Sequence, residues 1–259
     1  MKDPRCAVVT GAAAGLGREL SATFAKRGLS VVLVDIDEAG LRSAHAECAA
    51  PPGSILSLAA DLTASDSAAR IVEGAVKQFG RVDILVNCAA IGRAEAFHSM
   101  SVALWERTFA VNVTGLMALT LAVANEMIKR HTEGRIINIT SPASRMALPN
   151  YAAYAASKAA VDSFTRAAAV ALARYGIKVN SVAPGMMDTE MQRSVEAEMA
   201  RLEGRNDIEK FLQERTSRVP LGRRADVSEV VDSIAWLALD APDYVVASRF
   251  NVSGGLDKD

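Results

Sequence analysis

Six short β-branched or leucine-rich runs, at residues 6–10, 31–35, 55–60, 84–87, 135–140 and 178–183, alternate with longer alanine-rich amphipathic stretches. Strands separated by helical segments demand a parallel sheet with helices on both faces, because each crossover between parallel strands returns over the sheet. The 259 residues are enough to bury a substantial core, and a hydrophobic share of 50% excludes disorder. Pro51-Pro52-Gly53 is a turn too short to divide domains, and there is no linker or repeat. The economical fold is a single α/β domain over residues 1–259, doubly wound in the Rossmann manner.

The loop after the first run reads Thr10-Gly11-Ala12-Ala13-Ala14-Gly15-Leu16-Gly17, with a helix expected to begin at Arg18. Its glycines let backbone approach a pyrophosphate, which then sits at the positive end of that helix. Asp35 closes the second run eighteen residues beyond Gly17, where a carboxylate accepts from the adenosine ribose hydroxyls. It would repel a 2′-phosphate, and Ala12, Ala13 and Ala14 supply no cation to hold one. NAD is therefore expected rather than NADP. Asp61 and Leu62 end a third run where an adenine edge could rest, and small residues follow Asn87. Asn112 lies inside an apolar pattern, as a structural brace or as the holder of a water relay.

Ser141 follows the fifth run, at the strand end where a hydroxyl meets a substrate. Tyr154 and Lys158, four apart in an alanine-rich stretch, share a helix face. An ammonium about 4 Å from a phenolate attracts it by roughly 4 kcal/mol at an effective dielectric of about 20, which would let the tyrosine ionise near neutral pH.

Taken together, these residues resemble the short-chain dehydrogenase/reductase family across essentially the whole chain. The carrying motifs are Thr10-Gly11-x-x-x-Gly15-x-Gly17, Asp61, Asn87, Asn112, Ser141 thirteen positions before Tyr154, Tyr154-x-x-x-Lys158, and Pro184-Gly185 followed by Thr189. The resemblance implies one seven-stranded parallel sheet and commonly a homotetramer built partly on the Asn112 and Tyr154 helices. It makes Tyr154 the acid-base and Ser141 the group that polarises the substrate oxygen. Lys158 would bind the nicotinamide ribose, and Asn112 would hold a water linking it to solvent. Gly11, Gly15, Leu16 and Gly17 would line the pyrophosphate, and Asp35, Asp61 and Leu62 the adenosine end; Asn87, Pro184 and Gly185 would also border the cofactor, and Thr189 would contact its carboxamide or phosphate side. Two departures stand out: Asn87-Cys88-Ala89-Ala90 where the family has Asn-Asn-Ala-Gly, and Asn251-Val252-Ser253-Gly254-Gly255 where it usually has an aspartate before paired glycines.

The expected activity is NAD-dependent hydride transfer between a secondary alcohol and its ketone. A substrate lid is expected at about residues 186–220. Arg93 and Arg145, in loops bordering the pocket of such a fold, suit an anionic or hydroxyl-dense substrate. With little bulky aromatic lining, that substrate reads as a sugar, polyol or sugar acid. The rivals are an NADPH-linked carbonyl or 3-oxoacyl thioester reductase, which Asp35 opposes, and a dinucleotide-binding regulator without chemistry, which the complete catalytic set opposes. A net charge of −1 without a basic run gives no nucleic-acid or membrane surface. No apolar run approaches membrane-spanning length. Three scattered cysteines show no metal-ligand spacing and suit a reducing compartment. With strand-like sequence starting at Cys6, no signal peptide is expected, and the setting reads as cytoplasmic.

Overall fold

The computed structural model describes residues 4–257, so the expectation of a leaderless start, which falls partly on residues 1–3, lies outside the described residues. Seven parallel strands form one sheet in the order β3-β2-β1-β4-β5-β6-β7. They are β1 (Cys6–Thr10), β2 (Ser30–Asp35), β3 (Ile55–Ala59), β4 (Ile84–Asn87), β5 (Arg135–Ile139), β6 (Lys178–Pro184) and β7 (Arg249–Val252). The first six lie within a residue of their expected positions. The seventh, with only four residues, had been implied by resemblance alone.

Helices cover both faces because successive strand residues point to opposite sides. From β1, Ala7 and Val9 pack towards Leu20 and Phe24 of α1 (Gly15–Lys26) and towards Val230 and Ile234 of α9 (Val227–Leu239). Cys6 and Val8 face the other way, into a core shared with Ile71 of α3 (Ser67–Phe79) and Val123 of α5 (Leu116–Lys129). The chain changes direction between β1 and β4, so a crevice opens beyond their carboxyl ends. Helix α1 begins at Gly15, three residues earlier than expected, because the glycine-rich turn already supplies its first turn.

One sequence expectation fails. α4 (Val102–Phe109), a π-helical segment (Ala110–Gly115) and α5 run on as one 28-residue helix, long and apolar enough by length and composition to cross a membrane. The apolarity has a packing cause: Leu119, Val123, Ala124 and Met127 are buried against the sheet.

Candidate active site

The crevice is a cavity of about 380 Å³ that brings together much of what the sequence singled out. At the glycine turn it is lined by Gly11, Gly15, Leu16, Gly17 and Asp35, with Thr189 beside Gly15, and elsewhere by Ser141, Tyr154, Lys158, Pro184 and Gly185. Gly17 has a plain steric reason: a Cβ there would stand 2.2 Å from the carbonyl oxygen of Gly11, and both are backbone-bound. The Asp35 carboxylate accepts from the backbone N–H groups of Ala13 (3.0 Å) and Asp37 (3.1 Å), which fixes it at the mouth of the glycine turn. Arg18, a cation of the same turn, is tied to Glu47 and Ser43. A dinucleotide fits this end: backbone cradle for the pyrophosphate, acidic acceptor for the ribose.

The middle of the cavity rests on α6 (Ala152–Leu172), whose turn spacing stacks Tyr154 and Lys158 on one face. Lys158 Nζ donates to the Ile139 carbonyl at 2.8 Å and lies 5.6 Å from the Tyr154 ring centroid, over the ring. Burial pushes the Tyr154 phenol up to about 12, partly opposed by its hydrogen bond with Ser141, while Cys88 adds to the rise. Burial likewise brings Lys158 down from 10.5 to about 8. Desolvation is the largest cause of both shifts, so burial opposes the lowering of the phenol that the sequence argument assigns to Lys158.

Other residues are placed elsewhere. Asn112 is fully buried in the π-helical segment; its side chain accepts from Ile91 N–H (2.8 Å) and donates to the Ile91 carbonyl (2.9 Å) and Ser157 Oγ (3.0 Å). Such a double bond to one backbone position braces the β4 loop. Asn87 turns away from the cavity, donating to Thr120 and Asn138, and Asp61 accepts from Thr63 N–H and Oγ1, bonds that lower its pKa. Neither these three residues nor Leu62 lines the cavity.

Arg93 and Arg145 do not line it either. Arg93, 64% exposed, pairs with Glu198 at 2.5 Å. Glu198 also accepts from Ala94 N–H (2.9 Å), so Arg93 helps tie α7 (Glu190–Leu202) to the β4 loop. The arginines that do reach the cavity are Arg215 and Arg218, beside methionines 146, 186, 187, 191 and 199. Arg215 ends α8 (Ile208–Thr216), within the expected lid. The sequence does not single these two arginines out, because charge alone does not reveal which way an amphipathic helix turns.

Two further contributions were missed. Tyr151 stacks on Tyr154 with ring centroids 4.4 Å apart and planes 18° apart, and a Cβ on Gly92 would fall 2.1 Å from its hydroxyl. Its position three residues before Tyr154, on the same helical face, was the available signal. Arg249 Nη2 donates to the Ser141 carbonyl (3.1 Å), while its guanidinium pairs with Asp162 (3.4 Å) and Asp257 (2.5 Å), so β7 holds the Ser141 loop from behind.

Residues 5–200 match the short chain dehydrogenase family. Galactitol 2-dehydrogenase of Agrobacterium fabrum is 37% identical over 251 residues, 97% of this chain and 96% of the relative. Sorbitol dehydrogenase of Cereibacter sphaeroides is 35% identical over 98% of this chain and 97% of its own length. Among solved structures, a variant of actinorhodin polyketide ketoreductase with NADPH superposes with a TM-score of 0.93 at 33% identity, covering 100% of this chain and 99% of the other. The chain belongs to the short-chain dehydrogenase/reductase family, as its motifs implied. It is an oxidoreductase of CH–OH groups that uses a nicotinamide cofactor.

Proposed function

We propose that this enzyme is NAD-dependent and interconverts a secondary alcohol of the polyol, sugar or sugar-acid class and its ketone. The observation that carries this reading is the meeting of Ser141, Tyr154 and Lys158 in a cavity continuous with the glycine turn and Asp35. The glycine turn and Lys158 would hold the dinucleotide, and Asp35 would accept from its adenosine ribose, the feature that favours NAD. The bound nicotinamide supplies the hydride acceptor, or the donor in reverse. Ser141 donates to the substrate oxygen and fixes its position. Tyr154, as the phenolate, takes the hydroxyl proton in oxidation and, as the phenol, returns it in reduction. Lys158 holds a proton within reach of that exchange and compensates negative charge on the phenol once substrate oxygen and ribose draw its ammonium from the Ile139 carbonyl. The polyol class is supported by the galactitol and sorbitol dehydrogenases that the chain resembles.

A second reading has its own support. The methionines beside Leu148 and Val195 form an apolar wall suited to an acyl chain, as in a 3-oxoacyl thioester reductase. NADH formation from hexitols, pentitols, hexonic acids and a 3-hydroxyacyl thioester, repeated with NADP, separates the two. Faster turnover of polyols or hexonic acids with NAD supports the first; turnover confined to the thioester overturns its substrate class.

The same proposal includes one domain with its lid at about residues 186–220, a cytoplasmic setting and a homotetramer. Free Cys6, Cys48 and Cys88 support the setting. Exposed Val102, Leu121 and Val170 on α4, α5 and α6 support the assembly, which sedimentation tests directly.

A further inference from the structure

The lid is held by a buried charge cluster whose composition leaves a cation facing the cavity. Glu196 of α7 is 1% exposed. Its carboxylate accepts from both Nη atoms of Arg224 (2.9 and 3.1 Å), from Nε of Arg215 (3.0 Å) and from Nε2 of Gln192 (2.9 Å). Four donors on two oxygens leave that carboxylate with little further accepting capacity. One buried anion therefore serves two guanidinium groups, and Arg224 takes it in the bidentate manner.

Arg215 is the group left over. Its side chain is 19% exposed and lines the cavity. Nε is committed to Glu196 and the guanidinium carbon lies 5.7 Å from the Phe211 ring centroid, but its Nη groups have no hydrogen-bond acceptor among the described residues. Arg218 follows one turn later, its N–H donating to the Arg215 carbonyl at 3.2 Å. It also lines the cavity, and its side chain has neither ion pair nor hydrogen bond among the described residues. The nearby carboxylates are engaged: Glu198 by Arg93 and Ala94, and Glu214 by Arg205. Glu190, the other lid anion on the lining, starts α7 beside Thr189, roughly 9 Å along the helix from Glu196.

Two adjacent guanidinium groups with unused donors, set against an apolar wall, match a substrate whose carbinol is separated from an anion by a largely apolar or neutral stretch. We infer that Arg215 and Arg218 form an anion-recognition subsite on the lid side of the cavity, and that the substrate is a secondary alcohol bearing a carboxylate. Arg215, its orientation fixed through Glu196, supplies the built part of the subsite. Arg218, free to swing, closes on the carboxylate from the mouth. This rests on the dehydrogenase reading above and moves the anion contact from Arg93 and Arg145 to the lid.

The test uses matched probes: 3-hydroxybutanoate and longer secondary-alcohol acids, each beside its methyl ester, and hexonic acids beside the hexitols. NADH formation is measured for the wild type, Arg218→Gln and Arg215→Lys, the lysine keeping a charge beside Glu196. Calorimetric titration of the same acids and esters reads binding without turnover. At least one acid should exceed its neutral partner roughly 10- to 100-fold in kcat/KM, mostly through KM, as loss of a charge-assisted bond implies. Arg218→Gln should remove most of that preference, lowering kcat/KM for the acid far more than for its neutral partner. Equal use of acids and neutral partners by the wild type, or a preference that survives in both variants, overturns the subsite. Absence of turnover on every probe would instead count against the dehydrogenase reading. In that event titration decides the subsite: acid binding that weakens in Arg218→Gln supports it, and acid binding unaffected by either variant, or none, overturns it.

Discussion

The two halves of the cavity are built by different physics. The dinucleotide end is made of backbone: a glycine turn between β1 and α1, strand ends, and one carboxylate held by two N–H groups. The lid end is made of side chains, with buried Glu196 holding the partly exposed Arg215 and Arg224, and with Phe211, Val195 and Met199 packed together beside them. A backbone site tolerates almost no change in shape, since a single methyl at Gly17 would strike the Gly11 carbonyl. A side-chain site changes specificity by one substitution but depends on the single anion, Glu196, that orders its cluster.

The sharpest break in the comparison is chemical. Tyr154→Phe should lower turnover by about 10²- to 10⁴-fold while dinucleotide affinity, measured by fluorescence titration, stays within about twofold. Turnover like that of the wild type would remove the phenol from the mechanism. Next comes the charge cluster. Glu196→Gln leaves two guanidinium groups without their anion and should destabilise the lid by about 3–5 kcal/mol, seen as faster hydrogen exchange in α7 and α8 with the sheet unaffected. If exchange rose equally in β1 and β4, the lid would not be a separable unit.

A third effect depends on pH. Lys158 is held below its unfolded value, so between about pH 8 and pH 10.5 the unfolded chain binds more protons and folding stability rises with pH. The gain, up to roughly 3 kcal/mol, is complete above the upper value and lost below the lower one. Tyr154, pushed up to about 12 from 10.0, acts in the opposite sense above pH 10. The thiols of Cys6 and Cys88, raised from 9.0 to about 12 and about 11, also act in the opposite sense above pH 9. Thermal unfolding should therefore show the rise in wild type between about pH 8 and pH 9, and Lys158→Met should flatten it. The smallest effect belongs to Arg93→Ala: the exposure of Arg93 itself makes the loss about 1 kcal/mol or less in lid stability, with kcat within about twofold. A larger drop in kcat/KM for anionic than for neutral substrates would return Arg93 to the substrate contact.

This division also explains what could be read from the residues alone. Strand positions and the Gly17, Asp35, Ser141, Tyr154 and Lys158 constellation were legible because each depends on local pattern or fixed spacing. The burial that raises the Tyr154 phenol was not legible, because it is a property of the whole fold rather than of the neighbour four residues on. Arg215 and Arg218 were hidden among the lid's many charges, since the inward turn of Arg215 follows from Glu196, nineteen residues before it in sequence. Tyr151 carried a spacing signal that was there to be used.

The tie from Arg249 to the Ser141 carbonyl bears on how the protein matures during synthesis. Strands β1 to β6 and the glycine turn leave the ribosome well before β7, and domains assemble as chain emerges. Until Arg249 arrives with Asp257, the Ser141 loop lacks its rear support. A nascent chain would therefore complete its dinucleotide cradle first and gain proton-handling competence last, so that a ribosome-stalled intermediate short of β7 would lack an assembled centre for turnover.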